Sequence, residues 1–197
     1  MRPRYYKLNK PRNVVSQFIS PDKVGLLGDI HFSFPPGTHA LGRLDNDSEG
    51  LLLLTTNKKI TRLLFLAKKN HLRTYLVMVQ NVVSEKTLAA LKSGVSIFIK
   101  NGITYLAKPD HIEIVVTPIE LCKQAHDIRE QYPHTWLLIT LTEGKHRQVR
   151  KMVLAAKHRC LRLIRISMAG ISLGDLQPGH VEELDEETFC SLTEINL

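Results

Sequence analysis

The sequence lacks any long uninterrupted apolar run, and its 197 residues include only three cysteines. Because a membrane-spanning helix needs about 18 or more apolar residues in a row, no membrane segment is expected. The basic start also lacks the apolar stretch of roughly 7–15 residues that marks a secretory signal. Cys122, Cys160 and Cys190 are widely spaced and form no Cys-x-x-Cys pair. We therefore expect no disulfide framework and no zinc site, and a location in the reducing cytoplasm.

Acidic residues are missing from the two most basic stretches of the chain. Residues 1–12 hold five Lys or Arg and residues 145–174 hold eight, while residues 175–197 hold seven acids and no Lys or Arg. The formal net charge is +8 at pH 7. Clustered cations repel one another unless an anion joins them, although solvated surface charge is the simpler explanation. The pattern favours a polyphosphate partner, in which affinity comes from counterion release.

The apolar pattern predicts an α+β fold with a largely antiparallel sheet, because strands and helices alternate without regular βαβ units. Strand segments are predicted at residues 5–8, 14–18, 51–56, 73–79 and 136–141. The run at 51–56 is continuously apolar, which indicates burial on both faces. Helices are predicted at residues 58–69, 145–158 and 186–193, and Ser84 is expected to cap another that ends at Gly94. The polar residues 121–134 predict a loop.

The segment Gly-Arg-Leu-Asp-Asn-Asp-Ser-Glu-Gly at residues 42–50 carries three carboxylates, Asp45, Asp47 and Glu49. One interpretation is a turn built by side-chain hydrogen bonds to the backbone. A second is a calcium loop, but Thr56 stands where the twelfth position requires Glu, and a strand follows. A third is a metal-dependent nuclease centre, and no second cluster completes it. The fourth is a catalytic carboxylate on an RNA-binding surface, held on a loop between two strands.

Five blocks in order resemble the RsuA-type pseudouridine synthases, which isomerise uridine in ribosomal RNA. Gly-Arg-Leu-Asp-x-Asp-Ser-Glu-Gly-Leu-Leu-Leu-Leu-Thr matches the family signature. The other blocks are Lys10-Pro11, Arg-Thr-Tyr at 73–75, Glu-Gly-Lys-His-Arg-Gln-Val-Arg-Lys-Met at 143–152, and Leu-Ile-Arg at 163–165 with the Leu-x-x-Gly that follows. Within the family the chain most resembles the large-subunit synthase E type, because no S4 RNA-binding module precedes residue 5.

The resemblance implies a set of catalytic residues. Asp45 takes the position of the catalytic carboxylate, with Asp47 and Glu49 in supporting roles. Tyr75 is expected to stack on the flipped uracil and to help remove the C5 proton. Arg150 is expected to pair with Asp45 and keep it ionised and oriented. Arg147, three residues earlier on the same predicted helical face, is the alternative partner.

The remaining residues implied by the resemblance contact RNA. Arg43 is expected to brace the gap left by the extruded nucleotide, and Leu163 to form an apolar wall against the base. Phosphate or RNA contacts are expected from Lys145, Arg147, Lys151, Arg165 and Lys10. For Lys10, a solvated turn lysine is an equally good interpretation. The reaction needs no metal and no cofactor, because nothing is oxidised and no group is brought in.

The sequence as a whole predicts a pseudouridine synthase fold with two lobes around a basic cleft and Asp45 at its floor. Residues 1–184 are expected to form the catalytic domain, and residues 185–197 an acidic C-terminal tail of open purpose. The expected activity is isomerisation of one uridine in ribosomal RNA, in the large subunit, by a monomer. The alternative is a catalytically idle relative that binds RNA during ribosome assembly.

Overall fold

A computed structural model describes residues 2–66, 71–116 and 132–196. The chain divides into two compact units, one made of residues 1–73 and 164–197, the other of residues 74–163. Among the described residues the strands are β1 (Tyr5–Lys10), β2 (His39–Ala40), β3 (Glu49–Thr55), β4 (Arg73–Gln80), β5 (Val95–Phe98), β6 (Thr104–Ala107), β7 (His111–Val115), β8 (His134–Leu141), β9 (Cys160–Met168), β10 (Ile171–Ser172) and β11 (Val181–Leu184). The α-helices there are α1 (Lys58–Leu66), α2 (Glu85–Ser93), α3 (Gln148–Ala155) and α4 (Glu186–Thr193).

The unit that contains both chain termini is built around strand β3. Its strand order is β11-β1-β3-β9, with β2 added to β3 and β10 to β9. Strand β1 runs antiparallel to both β11 and β3, whereas β3 pairs with β9 in parallel. The four leucines 51–54 of β3 have no exposed surface. The predicted α+β class, the mainly antiparallel sheet and the doubly buried strand are thus confirmed.

The second unit joins strands β4, β8 and β7 to the first part of β9, and it also carries a separate hairpin, β5–β6. Helix α2 begins after Ser84, whose hydroxyl accepts from the Thr87 N–H at 3.2 Å, and it ends at Gly94. Both predicted helix boundaries are confirmed. Strand β5 packs against helix α3. Most of the predicted loop at 121–134 lies outside the described residues, as do residues 67–69 of the predicted first helix.

The C-terminal residues form part of the first unit and do not divide from it at residue 184. Asp185 caps helix α4 by accepting the Thr188 N–H at 2.8 Å. Phe189, which has no exposed surface, stacks on Tyr5 with ring centroids 4.6 Å apart. The Tyr5 hydroxyl donates to Glu186 at 2.7 Å. One buried aromatic side chain therefore holds helix α4 against strand β1.

Acidic residues of strand β11 compensate part of the positive charge of the basic N-terminal stretch. Lys7 lies 3.0 Å from a Glu182 carboxylate oxygen across the β1–β11 pair, and Arg4 forms a two-point ion pair with Glu183. These two cations are thus already compensated within the unit.

The predicted strand at residues 14–18 is wrong. Only one isolated bridge forms there, between Val14 and Gly25. Ser16 in the same segment turns its hydroxyl onto the backbone of Leu44, so the segment packs on the 42–50 loop and not in a sheet. None of the helices in the described ranges is long and apolar enough to cross a bilayer.

Candidate active site

The loop of residues 42–50 connects strands β2 and β3 of the first unit and presents Asp45 near its centre. Asp45 is half-buried, and its carbonyl accepts the Ser48 N–H at 3.0 Å in a turn. Arg43, on the same loop, is exposed. The turn interpretation and the catalytic interpretation are thus compatible. The turn hydrogen bond uses the backbone carbonyl of Asp45 and does not involve its carboxylate.

The neighbours of Asp45 on both sides are fixed by the segment that follows strand β1. The Ser16 hydroxyl donates to the Leu44 carbonyl at 3.0 Å and accepts from the Leu44 N–H at 2.9 Å. The Asn13 N–H donates to the Asn46 carbonyl at 2.8 Å. The backbone is thus held immediately before and immediately after Asp45, so the main chain that carries this carboxylate is set in advance of any substrate.

Removing the Ser16 hydroxyl should measurably loosen this loop. The Ser16→Ala variant leaves two buried backbone groups of Leu44 without their side-chain partner. We expect the free energy of unfolding to fall by about 1–3 kcal/mol in chemical denaturation. Ser20→Ala is the matched control, since among the described residues the Ser20 hydroxyl has one exposed hydrogen bond, accepted from the Asp22 N–H. Equal losses in the two variants would contradict the anchoring role of Ser16.

At its far end the loop is locked to strand β9 by Gly50. Gly50 has φ of +97° and pairs with Arg165 in the parallel ladder. A Cβ atom at this position would lie 2.3 Å from the Arg165 carbonyl oxygen. The Arg165 side chain is buried, and its Nε–H donates to the Leu51 carbonyl at 2.8 Å. Arg165 therefore braces the start of β3, and its expected RNA contact stays a prediction.

Lys10 lies beneath the loop and has no exposed surface. Its ammonium group donates to the carbonyls of Pro11 at 2.8 Å and Val14 at 2.5 Å. Burial lowers the pKa of Lys10 to about 8, while the negative charges of Glu49, Asp47 and Asp45 oppose that shift. The interpretation as a solvated turn lysine is wrong, and the expected RNA contact of Lys10 stays a prediction. Lys10 provides a positive charge under the three carboxylates.

The second unit carries the basic segment that precedes helix α3, and a hydrogen-bonded network fixes it. The Tyr105 hydroxyl donates to one Glu143 carboxylate oxygen at 2.5 Å, and the Gln148 amide donates to the other at 2.6 Å. The Gln148 side-chain oxygen accepts the Lys145 N–H at 2.9 Å. The Lys145 ammonium lies 5.2 Å from the centroid of the Tyr105 ring. Both carboxylate oxygens of Glu143 are thus occupied in holding residues 143–148.

Arg147 and Arg150 do not share a helical face. Helix α3 begins at Gln148, and Arg147 precedes it in the left-handed conformation, with φ of 53°. The predicted helix start at residue 145 is wrong for this reason. Arg150 is half-buried in the first turn, and its Nη1 donates to the Cys160 sulfur at 3.4 Å. Lys151, the next residue on α3, is also half-buried.

The predicted catalytic residues come from both units. Asp45 belongs to the first unit, as do Arg43, Lys10 and Arg165, whereas Tyr75 and Arg150 belong to the second. Tyr75 on strand β4 and Leu163 on strand β9 are buried. The expected pairing of Asp45 with Arg150 stays a prediction, as do the roles of Tyr75 and Leu163 against the base.

The sequence did not identify four residues that hold the 42–50 loop and the 143–148 segment: Asn13, Ser16, Tyr105 and Gln148. Asn13, Ser16 and Tyr105 act through a partner that is remote in sequence or through the backbone, so no local pattern marks them. Gln148 is the partial exception, since it lies inside the Gln-Val-Arg motif.

Within the described residues, no three His, Cys, Asp or Glu side chains are grouped so that they could hold a metal ion.

Comparison with known proteins gives consistent matches. The family model described as RNA pseudouridylate synthase matches residues 4–155. The chain is 39% identical over 177 residues to the ribosomal large subunit pseudouridine synthase E of Vibrio parahaemolyticus, covering 89% of this chain and 71% of that protein. It is 30% identical over 191 residues to the ribosomal small subunit pseudouridine synthase A of Salmonella typhimurium, covering 96% and 74%. A crystal structure of a pseudouridylate synthase superposes with a TM-score of 0.73 and 26% identity, covering 97% and 74%.

Proposed function

Because the chain belongs to the RNA pseudouridylate synthase family, we propose that it converts one uridine of large-subunit ribosomal RNA to pseudouridine with Asp45 as the reacting carboxylate. The family assignment makes the chain an RNA-modifying isomerase. The choice of the large subunit follows the higher identity to the relative whose name specifies that subunit. A cytoplasmic location and a monomeric state stay predictions.

The reaction rearranges a single nucleotide. The N1–C1′ glycosidic bond breaks, the uracil turns, C5 bonds to C1′, and the proton on C5 moves to N1 in net terms. All atoms of the substrate remain in the product, so the chemistry requires neither an oxidant nor a group donor. A carboxylate can assist either by attacking the sugar as a nucleophile or by removing the C2′ proton. Both routes place the Asp45 carboxylate beside the ribose.

The observation that carries this proposal is the fixed backbone on either side of Asp45. A catalytic carboxylate must hold its geometry to within about 0.5 Å before the substrate arrives. The hydrogen bonds from Ser16 to Leu44 and from Asn13 to Asn46 support the backbone from which the Asp45 carboxylate projects. The buried ammonium of Lys10 adds a positive charge close to the loop carboxylates.

The substrate nucleotide must leave its base stack before its sugar can be reached, at a cost of a few kcal/mol. On this proposal the exposed Arg43, two residues before Asp45, braces the vacated stack. Tyr75 contacts the uracil and accepts or relays the C5 proton, and Leu163 lies against the base. Lys145, Arg147 and Lys151 contribute positive charge toward phosphate.

The experiment that tests the activity is pseudouridine mapping by carbodiimide treatment and primer extension. Ribosomal RNA is compared between cells that lack the protein and the same cells restored with wild-type protein. We expect one primer-extension stop in the large-subunit RNA to vanish on deletion and to return on restoration. An unchanged stop pattern in both subunits contradicts the proposal and favours the relative that only binds RNA.

Arg150→Ala should reduce turnover more than it reduces RNA affinity. If Arg150 orients the catalytic carboxylate, its loss affects the transition state, and we expect the rate of the chemical step to fall by about 10²-fold. The single-turnover rate and the equilibrium affinity for RNA are measured separately. Arg159→Ala is the control, because Arg159 is an exposed cation of the same basic stretch. A variant whose salt-sensitive affinity falls while its turnover rate persists would make Arg150 a phosphate contact instead.

A further inference from the structure

The β5–β6 hairpin of the second unit has one buried face and one exposed apolar face. Residues Val95, Ile97, Tyr105 and Ala107 share the inner face, which packs against helix α3. The alternate residues project outward, and Phe98 is 70% exposed and Leu106 62% exposed. Ile103, at the turn, is 56% exposed. Large apolar side chains gathered at this level of exposure mark an interaction surface more often than scattered ones do.

The charge around this face favours an anionic partner. Residues 94–109 contain Lys100 and Lys108 and no acidic residue. Both lysines are exposed, Lys100 in the hairpin turn and Lys108 just after strand β6. An exposed aromatic ring flanked by cations is the combination that binds single-stranded nucleic acid, in which bases stack and phosphates meet the charges. A patch whose charges are all positive is better suited to a polyanion than to a protein partner.

The hairpin is also tied to the basic segment before helix α3. Tyr105, on the inner face, donates its hydroxyl to Glu143, and the Lys145 ammonium lies against the Tyr105 ring. Glu143 in turn is held by Gln148, which also binds the backbone of Lys145. The hairpin and the 143–148 segment are therefore one hydrogen-bonded assembly within the second unit, and RNA bound to one is positioned relative to the other.

We propose that the outer face of the β5–β6 hairpin binds a single-stranded segment of the substrate RNA, with Phe98 stacking on one base. This inference rests on the proposed function, because it assigns the surface to nucleotides of the same substrate RNA. Lys100 and Lys108 contact the phosphates on either side of the stacked base. The surface adds sequence-tolerant affinity, since every base has a face on which an aromatic ring can stack.

The test compares three substitutions of Phe98 on the whole protein. The probes are a polyuridylate oligonucleotide of about ten nucleotides, within the usual span of a single-strand site, and an unmodified large-subunit RNA transcript. Phe98→Ala and Phe98→Leu should both weaken oligonucleotide binding by roughly 5- to 100-fold. Phe98→Trp should bind as wild type does, because it keeps the stacking ring. Val82→Ala, another exposed apolar residue of the unit, is the control and should change nothing.

The outcomes separate this inference from the proposed function. If wild type neither binds nor modifies the transcript, the proposed function has failed, and the inference fails with it. If wild type modifies the transcript while all Phe98 variants bind the oligonucleotide equally, only the hairpin surface is disproved. Loss in Phe98→Ala with full retention in Phe98→Leu disproves stacking. Loss of a co-purifying protein with unchanged RNA binding assigns the face to a protein partner.

Discussion

Replacing Asp45 by asparagine should abolish uridine isomerisation while leaving RNA affinity within a few-fold of wild type. Asparagine has nearly the same shape, and the turn hydrogen bond from Ser48 ends on the Asp45 backbone, so the loop is expected to keep its conformation. What the variant lacks is a charged oxygen that can attack the sugar or take its C2′ proton. Loss of the reacting group of an enzyme lowers turnover by more than about 10³-fold.

The measurement is the single-turnover rate on unmodified ribosomal RNA, with RNA affinity determined alongside. Asp47→Asn is the matched control, because it removes the same charge from the same loop and from the same buried Lys10. We expect this control to stay within about tenfold of wild type, since it keeps the reacting carboxylate and removes only a neighbouring charge. Near-normal turnover in Asp45→Asn would refute the assignment, and equal loss in both variants would point to the summed loop charge.

Replacing Lys10 by methionine should destabilise the fold although the two side chains are similar in size. The two carbonyls that accept from the ammonium lose their donor, and the loop carboxylates lose a neighbouring cation. A part-buried carbonyl that loses its donor is unfavourable by about 1–3 kcal/mol. Because the charged form of Lys10 is itself disfavoured by burial at neutral pH, the comparison is made at pH 10.5, where we expect the free energy of unfolding to fall by about 2–4 kcal/mol in chemical denaturation.

The pH dependence of stability tests the same residue independently. Burial lowers the pKa of Lys10 from 10.5 to about 8, so between these pH values the unfolded chain binds a proton that the folded chain does not. The Lys10 contribution to the free energy of unfolding therefore rises with pH across this window, by at most about 3 kcal/mol. In Lys10→Met this rise should be absent. The informative quantity is the difference between wild type and variant at each pH.

Lys7→Met on the same strand is the control for both measurements. Lys7 forms an ion pair with the exposed Glu182 at 3.0 Å, an interaction that contributes roughly 1 kcal/mol or less. A loss in Lys10→Met no larger than that in Lys7→Met would contradict the buried role of Lys10. A difference between wild type and Lys10→Met that stays flat from pH 8 to 10.5 would contradict the lowered pKa.

Local sequence patterns predicted the elements whose causes are local. The apolar run of β3, the Ser84 cap with its Gly94 stop, and helix Glu186–Thr193 are confirmed because each depends on residues close together in the chain. The segment at residues 14–18 was predicted as a strand from the same kind of pattern. There Ser16 bonds to a residue 28 positions away, and that tertiary contact overrides the local preference.

The sequence predicted which motifs belong to the candidate site but not how their side chains are arranged in space. The blocks around Asp45 and Arg150 could be identified from residue order alone. The burial of Lys10, the left-handed turn at Arg147 and the contact of Tyr105 with Glu143, 38 residues away, could not. Each depends on packing between distant segments, which neither spacing nor composition encodes.

The parallel pairing of Gly50 with Arg165 determines the point during translation at which the Asp45 loop can reach its final conformation. Residues 42–50 are synthesised early, whereas the strand that pairs with the end of this loop is synthesised more than a hundred residues later. Arg165 and its acceptor Leu51 are 114 positions apart. Contacts so remote in sequence form late, because a long intervening chain must first be ordered. A nascent chain that has not reached residue 165 therefore carries Asp45 on an unfinished loop, and truncated products of translation should be inert toward the ribosomes that make them.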